Sequence, residues 1–153
     1  MRVITILAGL LLAAGAVAAA PRTKPAYAPG LGEIMSLQQM RHAKLWFAGS
    51  AGNWDLASYE LDELKEGFDD VMTYAPVHDG VRLAPLVKTV TDGAIPELAK
   101  AIAARDGGRF ATAFDALTGG CNACHQSAKR GFIAIQRPSG LPYPNQNFAP
   151  AAH

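Results

Sequence analysis

The chain contains two cysteines, three positions apart, with a histidine directly behind the second: Cys121-Asn122-Ala123-Cys124-His125. No other feature restricts the fold so sharply. On a helix, two thiols at this spacing sit on neighbouring points of one turn. They are then placed to add to the two vinyl groups of a single porphyrin, and the adjacent imidazole reaches the iron from one side. C-x-x-C-H is the covalent attachment signature of a c-type haem. Two other chemistries use closely spaced thiols. A thioredoxin-like pair opens a helix after a strand, and no strand pattern precedes Cys121. A zinc site asks for further ligands, such as a second C-x-x-C or H-x-x-x-H, and the sequence has neither. With two cysteines a disulfide framework is excluded.

The first segment reads as an address. Met1-Arg2 gives a positive start, and Val3 to Ala20 runs without a charge. Small residues close it at Ala16-Val17-Ala18 and Ala18-Ala19-Ala20. This is the order of a secretory signal peptide, expected over residues 1–20 with cleavage at 18–20. Pro21 argues against a cut after Ala20. Its Ala and Gly content makes the run a weak membrane anchor. The expected product is exported to the periplasm and has no membrane span after cleavage. Export, the C-x-x-C-H run and the lack of other cysteines point together to a haem.

Half of the 153 residues are apolar and 18% are charged, enough for one domain with a buried core. The formal charge is only +1, so phosphate attraction gives no basis for nucleic-acid binding. Residues 21–30 hold three prolines and read as an extended arm. From Leu31 the pattern turns helical, with Leu31, Ile34, Met35, Leu45 and Trp46 on one face. Gly49 to Asn53 ends that helix. Asn53 or Asp55 caps a second, through Tyr74, with a stripe of Leu56, Tyr59, Leu64, Phe68, Val71 and Met72. Pro76 to Gly80 breaks it. A third helix covers about Leu83 to Arg105, with Pro96 inside. Asp106-Gly107-Gly108 leads to a fourth, from Arg109 to about Ile135. Residues 31–137 are thus expected to form an all-α, antiparallel four-helix bundle with haem c near the C-terminal helix. Residues 138–153 form a Pro-rich tail.

The place of the motif separates cytochrome types. Small globular cytochromes c carry it near the mature N-terminus and supply a Met far downstream. Here 28 residues follow His125, and none is Met. With Arg109-Phe110, Phe114 and Leu117 ahead of it, the motif at the end of a fourth helix resembles the cytochrome c prime and cytochrome c-556 family (class II). The likeness covers Glu33 to Arg130. Lys129 and Arg130 match a basic position of that family, whereas Ala128 stands where an aromatic is usual.

The resemblance implies that the first helix covers the other haem face. A Met there gives an electron-transferring, six-coordinate iron, and a non-ligand gives a five-coordinate iron that binds nitric oxide or carbon monoxide. Met35 is the expected sixth ligand, His42 the alternative, and Leu45 a non-coordinating lid. Met40 and Met72 fit the position less well, and His78 and His153 read as surface residues. Cys121 and Cys124 are the expected thioether anchors and His125 the proximal iron ligand. Arg41, Lys129 and Arg130 are candidate partners for the propionates. The expected role is a monohaem electron carrier, not an enzyme, serving redox partner proteins. A gas-binding haem protein is the first alternative, and a non-haem exported helical protein with a redox C-x-x-C the second. The likeness also implies pairing through two helices as a homodimer, for which the sequence carries no signal of its own.

Overall fold

The computed structural model describes residues 27–140 and 143–151. The expected signal peptide and His153 lie outside them. The described chain is mostly helical: α1 spans Leu31–Ser50, α2 Trp54–Tyr74, α3 Ala84–Ala103 and α4 Gly107–Ser127. Between α2 and α3 stand β1 (Val77–His78) and β2 (Val81–Arg82). No described helix is long and apolar enough to cross a membrane. Helix α1 packs on α2, α2 on α3, α3 on α4, and α1 on α4.

The helix ends have local causes. Asn53 caps α2, its Oδ1 accepting from Leu56 N–H at 3.2 Å. Asp106 caps α4 in the same way, accepting from Arg109 N–H at 3.0 Å. Three helices end by one device, a left-handed residue closing the last turn with paired backbone bonds. Gly52 (φ 72°) does this for α1, Arg105 (φ 52°) for α3 and Lys129 (φ 59°) for α4. At α4 the bonds are Lys129 N–H to Gln126 O at 3.0 Å and Arg130 N–H to His125 O at 2.7 Å. The expected run to Ile135 is therefore too long by two turns. Two of the three stop positions are not glycine, which hid them from the sequence.

The predicted break after α2 is a hairpin. Asp79 (φ 47°) and Gly80 (φ 78°) form a two-residue turn, pairing His78 with Val81 and Val77 with Arg82. Pro96 sits well inside α3, on its exposed side, and the helix runs through it.

The core joins Leu45 and Ala48 of α1, Leu61, Leu64 and Phe68 of α2, Val87 and Leu98 of α3, and Phe110, Phe114 and Leu117 of α4. Burying each large apolar side chain is worth about 1.5–3 kcal/mol. Two expected stripes need correction. On α2 the buried positions are Ala57, Glu60, Leu61, Leu64, Gly67, Phe68 and Val71, whereas Tyr59 and Met72 are exposed. On α1 the stripe is Ile34, Gln38, His42, Leu45 and Ala48, with two polar members. Small residues set the close approaches. A Cβ on Gly49 would meet the Phe110 ring, and one on Gly67 would meet Gln38 and Arg41.

The tail is irregular but packed. Phe148 joins the core against Phe47, ring centroids 5.6 Å apart. Asn53 Nδ2 donates to Ala149 O at 3.0 Å. Arg137 pairs with Asp115 and lies 4.3 Å over the Trp46 ring.

Candidate functional site

A cavity of about 310 Å³ opens at the end of the helices nearest the C-terminus of α4. Its wall includes Met35 and His42 from α1, Phe68 from α2, and Cys121, Cys124 and His125 from α4. The four residues singled out for a haem site, on helices far apart in sequence, therefore line one cavity. The rest is largely apolar, from Leu64, Val71, Leu83, Val87 and Val90. Among the described residues no carboxylate lines it, and Arg130 is its one strong cation. A wider groove of about 850 Å³ between α3 and α4 is lined by no cysteine or histidine. Among the described residues, no three His, Cys, Asp or Glu side chains converge to hold an ion by themselves.

The last two turns of α4 carry the thiols and the imidazole. Both cysteines are free. Burial pushes the Cys121 thiol up to about 11, with Cys124 adding a smaller push, and burial also raises Cys124. A nucleophilic redox pair needs the opposite, a lowered thiol pKa. The raised values argue against an activated redox pair.

His125 is half-buried, and its Nδ1 lies 2.8 Å from the Ile133 carbonyl. A carbonyl only accepts, so Nδ1 carries the proton and Nε2 keeps a lone pair. This is the arrangement by which metal-binding histidines are oriented and made more basic. The residues present thus fit a haem: two free thiols, a committed imidazole lone pair, an apolar wall and one guanidinium.

From α1, Met35 is half-buried and packs against the core. His42 is 4% exposed, with Nε2 2.9 Å from Thr118 Oγ1 and its ring 4.4 Å from that of Phe114. The Thr118 hydroxyl donates to Phe114 O at 3.0 Å. Its single hydrogen is used there, so it accepts from His42 Nε2–H. Burial holds the His42 pKa down to about 4. Leu45 is fully buried in the core and, like Met40 and Met72, is not part of the cavity wall. His78, expected at the surface, is half-buried and reaches the rim.

The basic candidates separate. Arg41 pairs with Glu63 at 2.9 Å, on the side of α1 facing α2 and away from the cavity wall. Arg130 lines the cavity and pairs with Asp79 of the hairpin turn. Lys129 is exposed and forms the α4 stop. The sequence reading missed Gln38, which lines the cavity and donates from Nε2 to Leu64 O at 2.8 Å. It also missed Asn122, bonded to Ile135. A signal for Gln38 was available, since polar residues on an otherwise apolar helical stripe mark a cavity or a partner.

Comparison of the chain with protein-family models, curated proteins and solved structures gave no match.

Proposed function

We propose that the protein is an exported monohaem c-type cytochrome that carries one electron at a time. The observation that carries the reading is the His125 imidazole, its Nδ1–H given to Ile133 O and its Nε2 left as a donor, on the same cavity wall as two free, desolvated thiols. Haem c, held through Cys121 and Cys124 and ligated by His125, would supply the reversible one-electron chemistry of its iron. The chain's own residues do the rest. The apolar wall of Phe68, Val71, Val87 and Val90 excludes water and holds the local dielectric low. Arg130, steadied by Asp79, supplies a guanidinium suited to a carboxylate. Met35 offers a thioether from α1 as the sixth ligand. His42 suits that role less, because its Nε2–H is already given to Thr118.

The reading includes the arrangement of the helices as an antiparallel bundle of the cytochrome c prime and c-556 kind. Its supports are the three-residue links Ala51–Asn53 and Ala104–Asp106, which reverse the chain between packed neighbours. Its periplasmic location rests on the signal-like residues 1–20.

The test is the pyridine–haem spectrum and mass of the chain purified from a host with working cytochrome maturation. A c-type band and a mass raised by one haem are expected. A colourless chain at its bare-peptide mass refutes the reading. A low-spin ferric spectrum assigns the six-coordinate, electron-transferring form, with Met35 as its ligand if low spin is lost in Met35→Ala and kept in His42→Ala. A high-spin ferric spectrum, with a reduced form that shifts on adding carbon monoxide, assigns the gas-binding alternative instead.

A further inference from the structure

The two spacer positions of C-x-x-C-H are not prescribed by thioether chemistry, yet one of them is fully engaged. The Asn122 carboxamide meets Ile135 at both ends. Its Nδ2 donates to Ile135 O at 2.8 Å, and Ile135 N–H donates to its Oδ1 at 2.7 Å. A side-chain amide bonded in this way imitates a backbone partner and fixes the register of the segment it holds. Two residues upstream in that segment lies the Ile133 carbonyl, which accepts from His125 Nδ1–H at 2.8 Å. One further bond, Ile133 N–H to Arg130 O at 2.8 Å, turns the chain back after the α4 stop.

Around the Ile133 carbonyl, residues 131–134 are exposed, and the next side-chain anchor along the chain is Arg137 on Asp115, beyond the clasp. Phe132 is 80% exposed and Ile133 44%. The segment has no helix or strand after Ser127. The carbonyl facing His125 is therefore held by the turn on one side and the Asn122 clasp on the other. The clasp and the imidazole leave the same helix, from positions 122 and 125, one turn apart. Helix α4 thus presents the imidazole and also fixes the acceptor that orients it.

We infer that Asn122 is the positioning residue for His125: by clasping Ile135 it holds the Ile133 carbonyl against Nδ1, committing the ring to the tautomer with a free Nε2. The consequence for iron rests on the haem reading above, whereas the ring orientation belongs to the chain alone. Loss of an acceptor at Nδ1 makes an imidazole a weaker donor, which favours the ferrous state.

The experiment follows two quantities in the full chain with its haem attached: hydrogen exchange of the His125 Nδ1–H by NMR, and the reduction potential. Asn122→Ala is expected to speed the exchange by at least about tenfold. It should raise the potential by about 59 mV, a tenfold change in the one-electron equilibrium. Asn122→Asp keeps the acceptor for Ile135 N–H but loses the donor, and falls between; it also carries the test if the alanine variant does not fold. Phe132→Ala, at an 80% exposed side chain outside the cavity lining, is expected to match the parent. Parent-like exchange in both Asn122 variants overturns the inference, as does a Phe132→Ala effect as large as that of Asn122→Ala. A colourless chain sinks the haem reading instead, and exchange at Nδ1 in that chain then decides the clasp by the same criteria.

Discussion

Acidification acts on His42 in a way that the geometry makes calculable. The ring is 4% exposed between α1 and α4, stacked near Phe114, and among the described residues no carboxylate shares its cavity wall. Its one polar partner, Thr118 Oγ1, already spends its hydrogen on Phe114 O, so the ring is the neutral Nε2–H form. Protonation would place an uncompensated charge in the wall. Burial lowers the pKa from 6.5 to about 4. The unfolded chain therefore takes up this proton as the pH falls through 6.5, and the folded chain does so only near 4. Between those values the unfolded state binds more protons, so stability falls with falling pH. At 1.36 kcal/mol per pH unit the full loss is about 3 kcal/mol, complete near the lower value and absent above the upper one.

The assay is urea unfolding of the chain and of its His42→Gln variant across that window, followed by far-UV circular dichroism. Glu60 has its carboxyl raised, first by burial, and works with the opposite sign. It is present in both proteins and cancels in their difference. The expected result is a stability difference between the two that changes by about 3 kcal/mol from neutral pH to about pH 4. Curves that stay parallel across the window refute the assignment of a buried, neutral His42.

Gly49→Ala would drive a Cβ into the Phe110 ring, and that ring is bracketed by Trp46, Trp54 and Phe114. Overpacking of about 1–3 kcal/mol should outweigh the helix gain of about 1 kcal/mol, lowering Tm by several degrees; an unchanged Tm contradicts the close approach of α1 and α4. Phe148→Ala removes a side chain buried against Phe47, at an expected cost of about 3 kcal/mol. Limited proteolysis should then cut the tail near Ala149 faster than in the parent, and equal rates would deny its anchoring role. Met35→Ala should convert a low-spin ferric spectrum to high spin, and an unchanged spectrum removes Met35 as the sixth ligand.

Much of the fold was legible because its causes are local. The cap Asn53 stands where the sequence places it, and the four helical segments follow from periodicity interrupted by Gly, Pro and Asn, although α4 begins at Gly107, capped by Asp106, two residues before the expected Arg109. The misjudged features have physical reasons too. The Asp79-Gly80 hairpin was signalled by its dipeptide, but strands of two residues leave no alternation to see. The end of α4 was masked because Lys129, not glycine, takes the left-handed position. Tyr59 and Met72 were assigned to a buried stripe that belongs to Glu60 and Gly67, since hydrophobicity alone does not register a buried ion pair such as Lys44–Glu60 or a close approach at glycine.

The amino-acid order alone carries the proposal of haem attachment at Cys121, Cys124 and His125, and it marks the boundaries of three helices. These depend on neighbours within about one turn. Tertiary structure decided which residues look into the cavity: Met35 faces it, Leu45 does not, and His42 is tied to a threonine 76 positions away. It also decided that a spacer asparagine and a loop carbonyl orient the imidazole. Such contacts depend on how far each helix is rotated about its own axis, and that rotation is set by packing against the other three, where a Gly49 or a Gly67 lets neighbours come close.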